Sequence, residues 1–182
     1  MMQTTMSALT SRRLLVGLLL MCLLISACGF KMRGQAPLPF ETLYTNVSRN
    51  SAFGIQIYRL LKASSPNTSM VEEASDAQVR LIQQNFSRTR SDVSLDFEGK
   101  VEEYELGLVF IFSMTDAKGN VLIPTTRLTA TRLMPYSEDD AAAKAAEMQI
   151  LYGDMEKSIA DRLYRRVISE DAIERYKQFN PQ

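Results

Sequence analysis

The chain has 182 residues, with 21 basic and 21 acidic side chains and no histidine. The absence of histidine removes the commonest general base and the commonest zinc ligand, and the balanced charge argues against nucleic acid as the main partner. Both cysteines, Cys22 and Cys28, lie close to the N-terminus, so the rest of the chain has no thiol for catalysis, a disulfide or a Cys/His metal site.

The N-terminal segment, residues 1–27, has the pattern of a secretory signal peptide. Arg12 and Arg13 supply the positive start, and residues 14–25 form an apolar run without charge. As a helix this run reaches roughly 18 Å, short of the ~30 Å hydrocarbon core of a bilayer, so we expect a cleaved signal rather than a membrane span. Serine and alanine, the small residue types found at cleavage sites, come directly before the first mature position.

Cys28 changes what the cleavage means. The order Ile25-Ser26-Ala27-Cys28 resembles the lipobox of bacterial lipoproteins. The resemblance implies cleavage directly before Cys28, an S-diacylglycerol group on its thiol and an N-acyl chain, such as palmitate, on the new N-terminus. An ordinary signal peptide with a cysteine at its boundary is the alternative. Because the signal carries two of the 21 basic residues and no acidic one, residues 28–182 would have a net charge of −2 and enough length for one domain.

The residues after the cleavage site carry a second resemblance. Residues 28–34 read Cys-Gly-Phe-Lys-Met-Arg-Gly. This string is similar to the Cys-Gly-aromatic-basic-Leu-Arg-Gly start of the LptE family of lipopolysaccharide (LPS) assembly lipoproteins. The alternative is a short tether whose two cations lie near lipid headgroups. Residues 35–40 contain two prolines and should be extended, so residues 28–40 are predicted to form a lipidated tether.

A strand and an amphipathic helix are predicted next. A strand over residues 42–47 would place alternate side chains on one side, namely Leu43, Thr45 and Val47. Ser51 is a candidate N-cap for a helix that runs to about Ala63. The apolar residues of this helix recur at helical spacing and indicate core packing: Phe53, Ile57, Leu60 and Leu61.

The following segment predicts a strand and then a polar stretch. Residues 77–87 have strand-like alternation that slips between Leu81 and Ile82, which indicates a bulge or a mixed face. Residues 88–96 are rich in arginine, serine and aspartate. The densest basic group consists of Arg80, Arg88 and Arg90, which we interpret as a solvated edge of the kind that discourages strand pairing, with ligand contact as the alternative.

Two further strands are joined by a hairpin. A turn at residues 98–100 precedes the clearest strand of the chain, one face of which is Tyr104, Leu106, Leu108, Phe110, Phe112 and Met114. The hairpin connection at residues 115–120 offers glycine and asparagine for positive φ. Its partner strand covers residues 121–134, where Pro124 indicates an irregular start or an edge position.

A long helix is predicted to begin near Ser137, which with Asp140 is close to a capping box. Its predicted buried stripe is Met148, Tyr152, Met155, Ile159, Leu163 and Val167. Gly153 in the middle of the helix should cost about 1 kcal/mol relative to alanine, and the pattern offers no reason for it. Residues 170–182 are polar and are predicted to form a frayed tail.

The order strand, helix, three strands and helix predicts an α/β (α+β) two-layer sandwich over residues 41–169. In this sandwich two amphipathic helices pack on a four-stranded, mostly antiparallel sheet. The LptE family has this architecture, so the resemblance covers nearly the whole chain after the cleavage site.

The LptE resemblance implies a function in assembly rather than catalysis. It implies an outer-membrane lipoprotein, anchored by lipid on the periplasmic side, that forms a complex with the LPS-assembly barrel LptD. There the chain would assist barrel assembly, bind LPS directly and help to insert LPS into the outer leaflet. No cofactor is expected apart from the covalent lipid on Cys28. Gly29 stands where an aspartate retains many lipoproteins in the inner membrane, which favours sorting to the outer membrane.

Two other functions remain open. One is a structural lipoprotein of another envelope machine, and the other is a periplasm-facing envelope hydrolase that uses carboxylates. Glu103 and Glu105 share one strand face, but a solvated face explains this pattern. The sequence has no phosphate-binding glycine loop, nucleophile elbow or metal-ligand spacing.

Four basic residues are candidates for binding LPS phosphates, since Lys and Arg form charge-assisted bonds with phosphate. The family resemblance assigns one basic position to Lys144, at the start of the long helix. The second, in the central hairpin turn before a glycine, falls on Phe97 here, and Lys100 just after the glycine could replace it. Arg88 and Arg90 belong to the densest basic group and are the next candidates. Each of these residues also fits an ordinary surface role.

Overall fold

The computed structural model describes residues 38–181. The predicted signal peptide, Cys28 and the string at residues 28–34 lie outside the described residues. The described chain has five strands, β1 (Thr42–Thr45), β2 (Ser69–Val71), β3 (Val79–Leu95), β4 (Val101–Asp116) and β5 (Val121–Pro135). Its α-helices are α1 (Ala52–Ser64), α2 (Ala141–Val167) and α3 (Glu170–Phe179).

The five strands form one mixed sheet in the order β2-β1-β3-β4-β5. β1 is parallel to both β2 and β3, whereas β3, β4 and β5 are antiparallel neighbours. The predicted mixed α+β sandwich is confirmed, but the prediction of four strands is wrong. The missed strand, β2, has only three residues, too few to show a period of two. It lies beside β1 because α1 forms the crossover that a parallel pair requires.

β3 is much longer than its apolar pattern indicates. The polar residues 88–95, which lie beyond the predicted end of the strand, continue it and pair with β4. Backbone hydrogen bonds to β4 hold this part of β3 in place, so it does not need apolar side chains. The register shifts between Gln83 and Asn85, so the predicted bulge exists but lies just after the position where the alternation slips.

The helices and the sheet share one hydrophobic core. The predicted inner face of β4 is confirmed, since its six residues from Tyr104 to Met114 are all buried. Phe53 of α1 stacks on Phe86 of β3 at 4.8 Å between ring centroids and meets Phe110 of β4 edge-on at 5.0 Å. Each fully buried side chain of this size stabilises the fold by about 1.5–3 kcal/mol before entropy is counted. The predicted stripe of α2 is buried from Tyr152 to Val167, and Met148 is partly buried.

The two main helices begin differently. Ser51 caps α1 as predicted, because its Oγ accepts a hydrogen bond from the backbone N–H of Gly54 at 2.9 Å. The capping box predicted at Ser137 and Asp140 does not form, and neither residue makes a side-chain capping bond. A short 3₁₀ turn, Glu138–Asp140, occupies these positions, so α2 begins only at Ala141.

Both ends of the predicted domain extend further than the sequence indicates. Leu38 and Phe40, assigned to the tether, are buried in the core. Beyond residue 169 the chain forms α3 instead of a frayed tail, with Ala172 buried and Tyr176 edge-on to Phe40 at 5.4 Å between ring centroids. These few apolar contacts, spaced one helical turn apart, are enough to dock a segment whose composition is otherwise polar.

The edge strand β5 has the irregularity that Pro124 predicts. Its register with β4 shifts between Phe112 and Met114, opposite the segment that contains Pro124. In the part of the chain that the structure describes, no helix combines the length and the apolar character needed to cross a membrane.

Candidate ligand-binding site

Two predicted cations lie on the helix-covered side of β3. Arg88 pairs across the sheet with Leu108, and Arg90 pairs with Leu106. Both leucines face the core, and side chains of directly paired residues point to the same face of a sheet. The inner side of β3 therefore changes from apolar at Phe86 to basic over the next two inward positions.

Arg88 is held by three residues of α2. Its guanidinium forms an ion pair with Glu156 and donates a hydrogen bond to Gln149 at 3.2 Å. It also lies over the ring of Tyr152, 4.8 Å from the centroid. Because these partners are three and four residues apart, they share one face of the helix. Arg88 therefore connects the two layers of the sandwich.

Tyr152 of α2 makes a second connection between this helix and β3. Its hydroxyl donates to the backbone carbonyl of Thr89 at 2.7 Å. Burial raises the pKa of Tyr152, and the nearby charges of Arg88 and Arg90 offset only part of that effect. The phenol stays protonated at neutral pH and so remains a hydrogen-bond donor to β3.

Arg90 has a different environment from Arg88. Its guanidinium lies over the ring of Tyr104, 4.6 Å from the centroid, and Tyr104 packs edge-on against Tyr136 at 4.8 Å. Among the ion pairs found over residues 38–181, none includes Arg90. Stacking on a ring orients a guanidinium while it leaves the N–H groups free at the edge. Arg90 is thus a positioned cation whose charge no carboxylate of residues 38–181 neutralises.

The two predicted lysines both have carboxylate partners. Lys144 lies in the first turn of α2 and contacts Glu147 at 2.9 Å, with 22% of its side chain exposed. It comes one turn before Met148, so it continues the buried stripe of α2 toward the helix start. Lys100 lies in the turn between β3 and β4 and contacts Glu98 at 3.3 Å, with 53% exposed.

The pairing of β4 and β5 shows where these residues lie along the sheet. β5 ends at Pro135, which pairs with Glu103, close to the start of β4. α2 therefore begins at the same end of the sheet as the β3–β4 turn. This end also presents apolar side chains to solvent, including Val93, Leu95 and Phe97, which are 49%, 56% and 98% exposed. The structure thus places Arg90, Lys100 and Lys144 and these exposed apolar residues in the half of the sandwich that holds the β3–β4 turn, which we call the hairpin end.

The turn at this end has a defined shape. The Asp96 carboxylate accepts hydrogen bonds from the backbone N–H groups of Glu98 at 2.8 Å and Lys100 at 2.9 Å. Gly99 adopts a φ of 82°, which suits glycine. The exposed side chains of Phe97 and Lys100 therefore belong to a turn that its own hydrogen bonds stabilise.

Sequence reasoning missed the aromatic and acidic parts of this site. The apolar stripes predicted for β4 and α2 include Tyr104 and Tyr152, although a buried tyrosine also needs a partner for its hydroxyl. Glu156 is 5% exposed, and its position four residues after Tyr152 places it on the same helix face. That spacing is the signal that could have indicated a buried carboxylate in need of a cation.

The other predicted sites are placed as follows. Cys28 lies outside the described residues. Glu105 is exposed and pairs with Leu133 and Ser91 on the sheet face away from the helices. Over residues 38–181 no group of three or more histidine, cysteine, aspartate or glutamate residues is arranged to hold a metal ion.

Comparison with solved structures finds the same fold in bacterial lipoproteins. The uncharacterized lipoprotein B of Nitrosomonas europaea is 29% identical, with a TM-score of 0.63 over 76% of this chain and 90% of that one. The minor lipoprotein of Acinetobacter baumannii is 20% identical, with a TM-score of 0.58 over 72% and 93%. The rare lipoprotein B of Shewanella oneidensis is 24% identical, with a TM-score of 0.57 over 68% and 91%.

A search of curated proteins finds no match. The family model of LptE, described as lipopolysaccharide-assembly, matches residues 40–167, which include the whole sheet, α1 and α2. This chain therefore belongs to the LptE lipopolysaccharide-assembly family.

Proposed function

We propose that this chain is an outer-membrane lipoprotein that binds LPS at the hairpin end and works in a complex with the barrel protein LptD. Family membership supports the general role in LPS assembly. The observation that carries the proposed binding site is Arg90, a cation stacked on Tyr104 with no carboxylate partner over residues 38–181. Lipid A carries phosphates next to acyl chains, so its receptor needs cations beside apolar surface.

The four predicted cations are not equivalent as phosphate ligands. Arg88 is bound to a buried carboxylate, so it positions the site rather than contacting ligand. Lys144 and Lys100 form ion pairs with Glu147 and Glu98, whose side chains are 43% and 54% exposed. Pairs of this kind contribute only about 0–1 kcal/mol. A phosphate can therefore replace the carboxylate at either lysine at little cost.

The proposed site accounts for both parts of an amphiphilic ligand. Arg90 and Lys144 bind phosphate, since charge-assisted bonds to phosphate are short and strong. The exposed side chains of Val93, Leu95 and Phe97 cover apolar parts of the same ligand or of the barrel. No covalent step is involved, so the proposed activity is binding and not catalysis.

The proposed function also includes a lipid anchor on Cys28 and a complex with LptD. Lipidation of Cys28 would hold the chain in the membrane, because two or more acyl chains give stable anchoring where a single chain is marginal. Gly29 at the next position supports sorting to the outer membrane. The complex with LptD would place the hairpin end on the route of LPS to the outer leaflet.

The proposed partnership is tested by purification and depletion. The tagged full-length protein is purified from detergent-solubilised outer membranes, and the partners are identified by mass spectrometry. We expect the LPS-assembly barrel in stoichiometric amounts, and misfolded barrel with loss of surface LPS after depletion. Normal barrel levels and an intact permeability barrier after depletion would refute the proposed role. A tagged unrelated outer-membrane lipoprotein is the control for nonspecific co-purification.

A further inference from the structure

A second basic site lies in a cleft of about 770 Å³ between α1 and β2. Its lining shares no residue with the hairpin end. The cleft is bordered by the cations Arg49, Arg59 and Lys62 and by the amphipathic or apolar side chains of Tyr58 and Met70. Three cations around a partly apolar depression match the phosphate and glycerol region of a lipid headgroup better than a free polar metabolite.

The charge in the cleft is only partly neutralised. Arg49 pairs with Glu72 and lies over the ring of Tyr58, 4.5 Å from the centroid. Lys62 donates a hydrogen bond to the backbone carbonyl of Pro66 at 3.5 Å. Over residues 38–181, no ion pair includes Arg59 or Lys62. The cleft therefore retains two positive charges without a carboxylate partner.

The cleft lies beside the start of the described chain. The backbone N–H of Leu38 donates to Ser65 Oγ at 3.3 Å, and Thr68 Oγ1 donates to the carbonyl of Phe40 at 3.0 Å. Ser65 and Thr68 belong to the connection between α1 and β2, the two elements that border the cleft. Residues 28–38 span at most roughly 36 Å when extended. A lipid on Cys28 would therefore keep this corner of the domain within that distance of the membrane.

We propose that the α1–β2 cleft binds the phosphate groups of anionic phospholipids in the leaflet that holds the lipid anchor. The inference rests on the lipid-anchored part of the proposed function and does not depend on LPS binding. Arg59 and Lys62 meet lipid phosphates, while Tyr58 and Met70 contact the glycerol and upper acyl region. The lipid anchor attaches the chain at one point, and the cleft adds a second contact that fixes how the domain faces the membrane.

The test uses the mature chain, residues 28–182, with Cys28→Ser so that no lipid anchor contributes. Co-sedimentation is measured with vesicles of phosphatidylcholine alone and with vesicles containing phosphatidylglycerol. The cleft variant is Arg59→Glu with Lys62→Glu. A matched control, Lys118→Glu with Arg127→Glu, makes the same charge change at two exposed residues of the β4–β5 hairpin. Circular dichroism checks that all three proteins are equally helical.

We expect binding only to the anionic vesicles and a fall of at least about thirtyfold in the cleft variant, because each basic residue near an anionic leaflet contributes about fivefold and the variant adds two negative charges. The control variant should bind like the parent chain. Equal binding by parent and cleft variant, an equal loss in the control, or no preference for phosphatidylglycerol would overturn the proposal. Displacement by millimolar inorganic phosphate at constant ionic strength would overturn it in favour of a soluble phosphate ligand.

LPS retention is measured on the same proteins to separate the two proposals. The cleft variant should retain LPS like the parent chain, because the hairpin end is unchanged. If the parent chain retains LPS but does not bind anionic vesicles, only the proposal for the α1–β2 cleft is rejected. Normal vesicle binding by a parent chain that fails to retain LPS would reject the hairpin-end site alone.

Discussion

Arg88 on β3 and Glu156 on α2 form an ion pair in which only one partner is solvated. The glutamate side chain is 7% exposed, whereas that of the arginine is 40% exposed. Gln149 and Tyr152 also contact Arg88, so its position is set by three residues of the same helix face. This pair joins the sheet to the helix layer directly next to Arg90, the proposed phosphate ligand. We therefore expect it to act on the site through stability and geometry.

Breaking this ion pair should destabilise the fold more than removing it entirely. Arg88→Met leaves a buried carboxylate without a cation, which we expect to lower the free energy of unfolding by about 2 kcal/mol. The double variant Arg88→Met with Glu156→Leu removes the stranded charge and should lose less than about 1 kcal/mol. Urea unfolding of Arg88→Met, of Glu156→Leu alone and of the double variant gives the coupling energy between the two side chains. Additive losses would show that the two side chains do not interact.

Two glycines in helices should respond oppositely to alanine. An added Cβ at Gly153 would meet no atom within 4 Å apart from the adjacent backbone of its own helix, so Gly153→Ala should raise the free energy of unfolding by about 1 kcal/mol. At Gly54 an added Cβ would lie 2.0 Å from the carbonyl oxygen of Ser48, so Gly54→Ala should lower stability. Thermal unfolding of both variants checks the contrast. A stability loss at Gly153 would indicate a role for that glycine outside the described contacts.

The β4–β5 hairpin should make stability depend on acidic pH. Asp116 is 1% exposed, and burial alone would raise its pKa. Hydrogen bonds outweigh burial and lower the pKa of Asp116 below its usual 3.8. The carboxylate accepts from Asn120 through both its backbone and side chain, each at 2.8 Å, from the Lys118 N–H at 2.9 Å and from the Asn180 side chain at 3.2 Å.

Since the folded pKa of Asp116 lies below the unfolded value, its contribution is complete above the unfolded pKa. It is lost as pH falls through the folded pKa. We therefore expect Asp116→Asn to lower stability at pH 7 and to flatten the decline of stability below pH 4. Urea unfolding of parent and variant from pH 2 to pH 7 measures this. Parallel pH profiles would show that another carboxylate causes the decline.

Lipid attachment at Cys28 predicts a clear change on substitution. Cys28→Ala should block both processing and lipid attachment, because the thiol receives the first lipid group. Metabolic labelling with radioactive palmitate, together with the apparent mass of the protein, measures both steps. Cleavage at residue 28 with palmitate still incorporated in the variant would contradict the lipobox interpretation.

Density fractionation of the unaltered protein should place it in the outer membrane, as Gly29 predicts.

Much of the core could be predicted from the sequence because its apolar residues keep strict spacing. The inner face of β4 alternates without interruption from Tyr104 to Met114, and the stripe of α2 recurs every three or four residues to Val167. Ser51 was identifiable as a cap because it directly precedes an apolar helical pattern. Each of these features follows from the local spacing of residues and does not depend on contacts with distant parts of the chain.

The elements that were missed depend on partners distant in sequence. The second half of β3 is polar and exists because it pairs with β4, and β2 is too short to show a pattern. α3 docks through Tyr176 on Phe40, a contact that composition does not show. For the same reason the sequence grouped Arg88 with Arg90, although only the fold shows that Glu156 neutralises one of them.

LPS retention by variants of the hairpin end tests the proposed binding site most directly. The mature chain with Cys28→Ser is compared with Arg90→Glu plus Lys144→Glu, with Lys144→Asp plus Lys100→Asp, and with the control Lys118→Glu plus Arg127→Glu. Equal helicity by circular dichroism is required of all. We predict a loss of at least roughly tenfold in retained LPS for the first pair, a smaller loss for the second and none for the control, since each charge-assisted bond contributes about 1.5–3 kcal/mol. Equal retention by all four proteins would contradict LPS binding at the hairpin end.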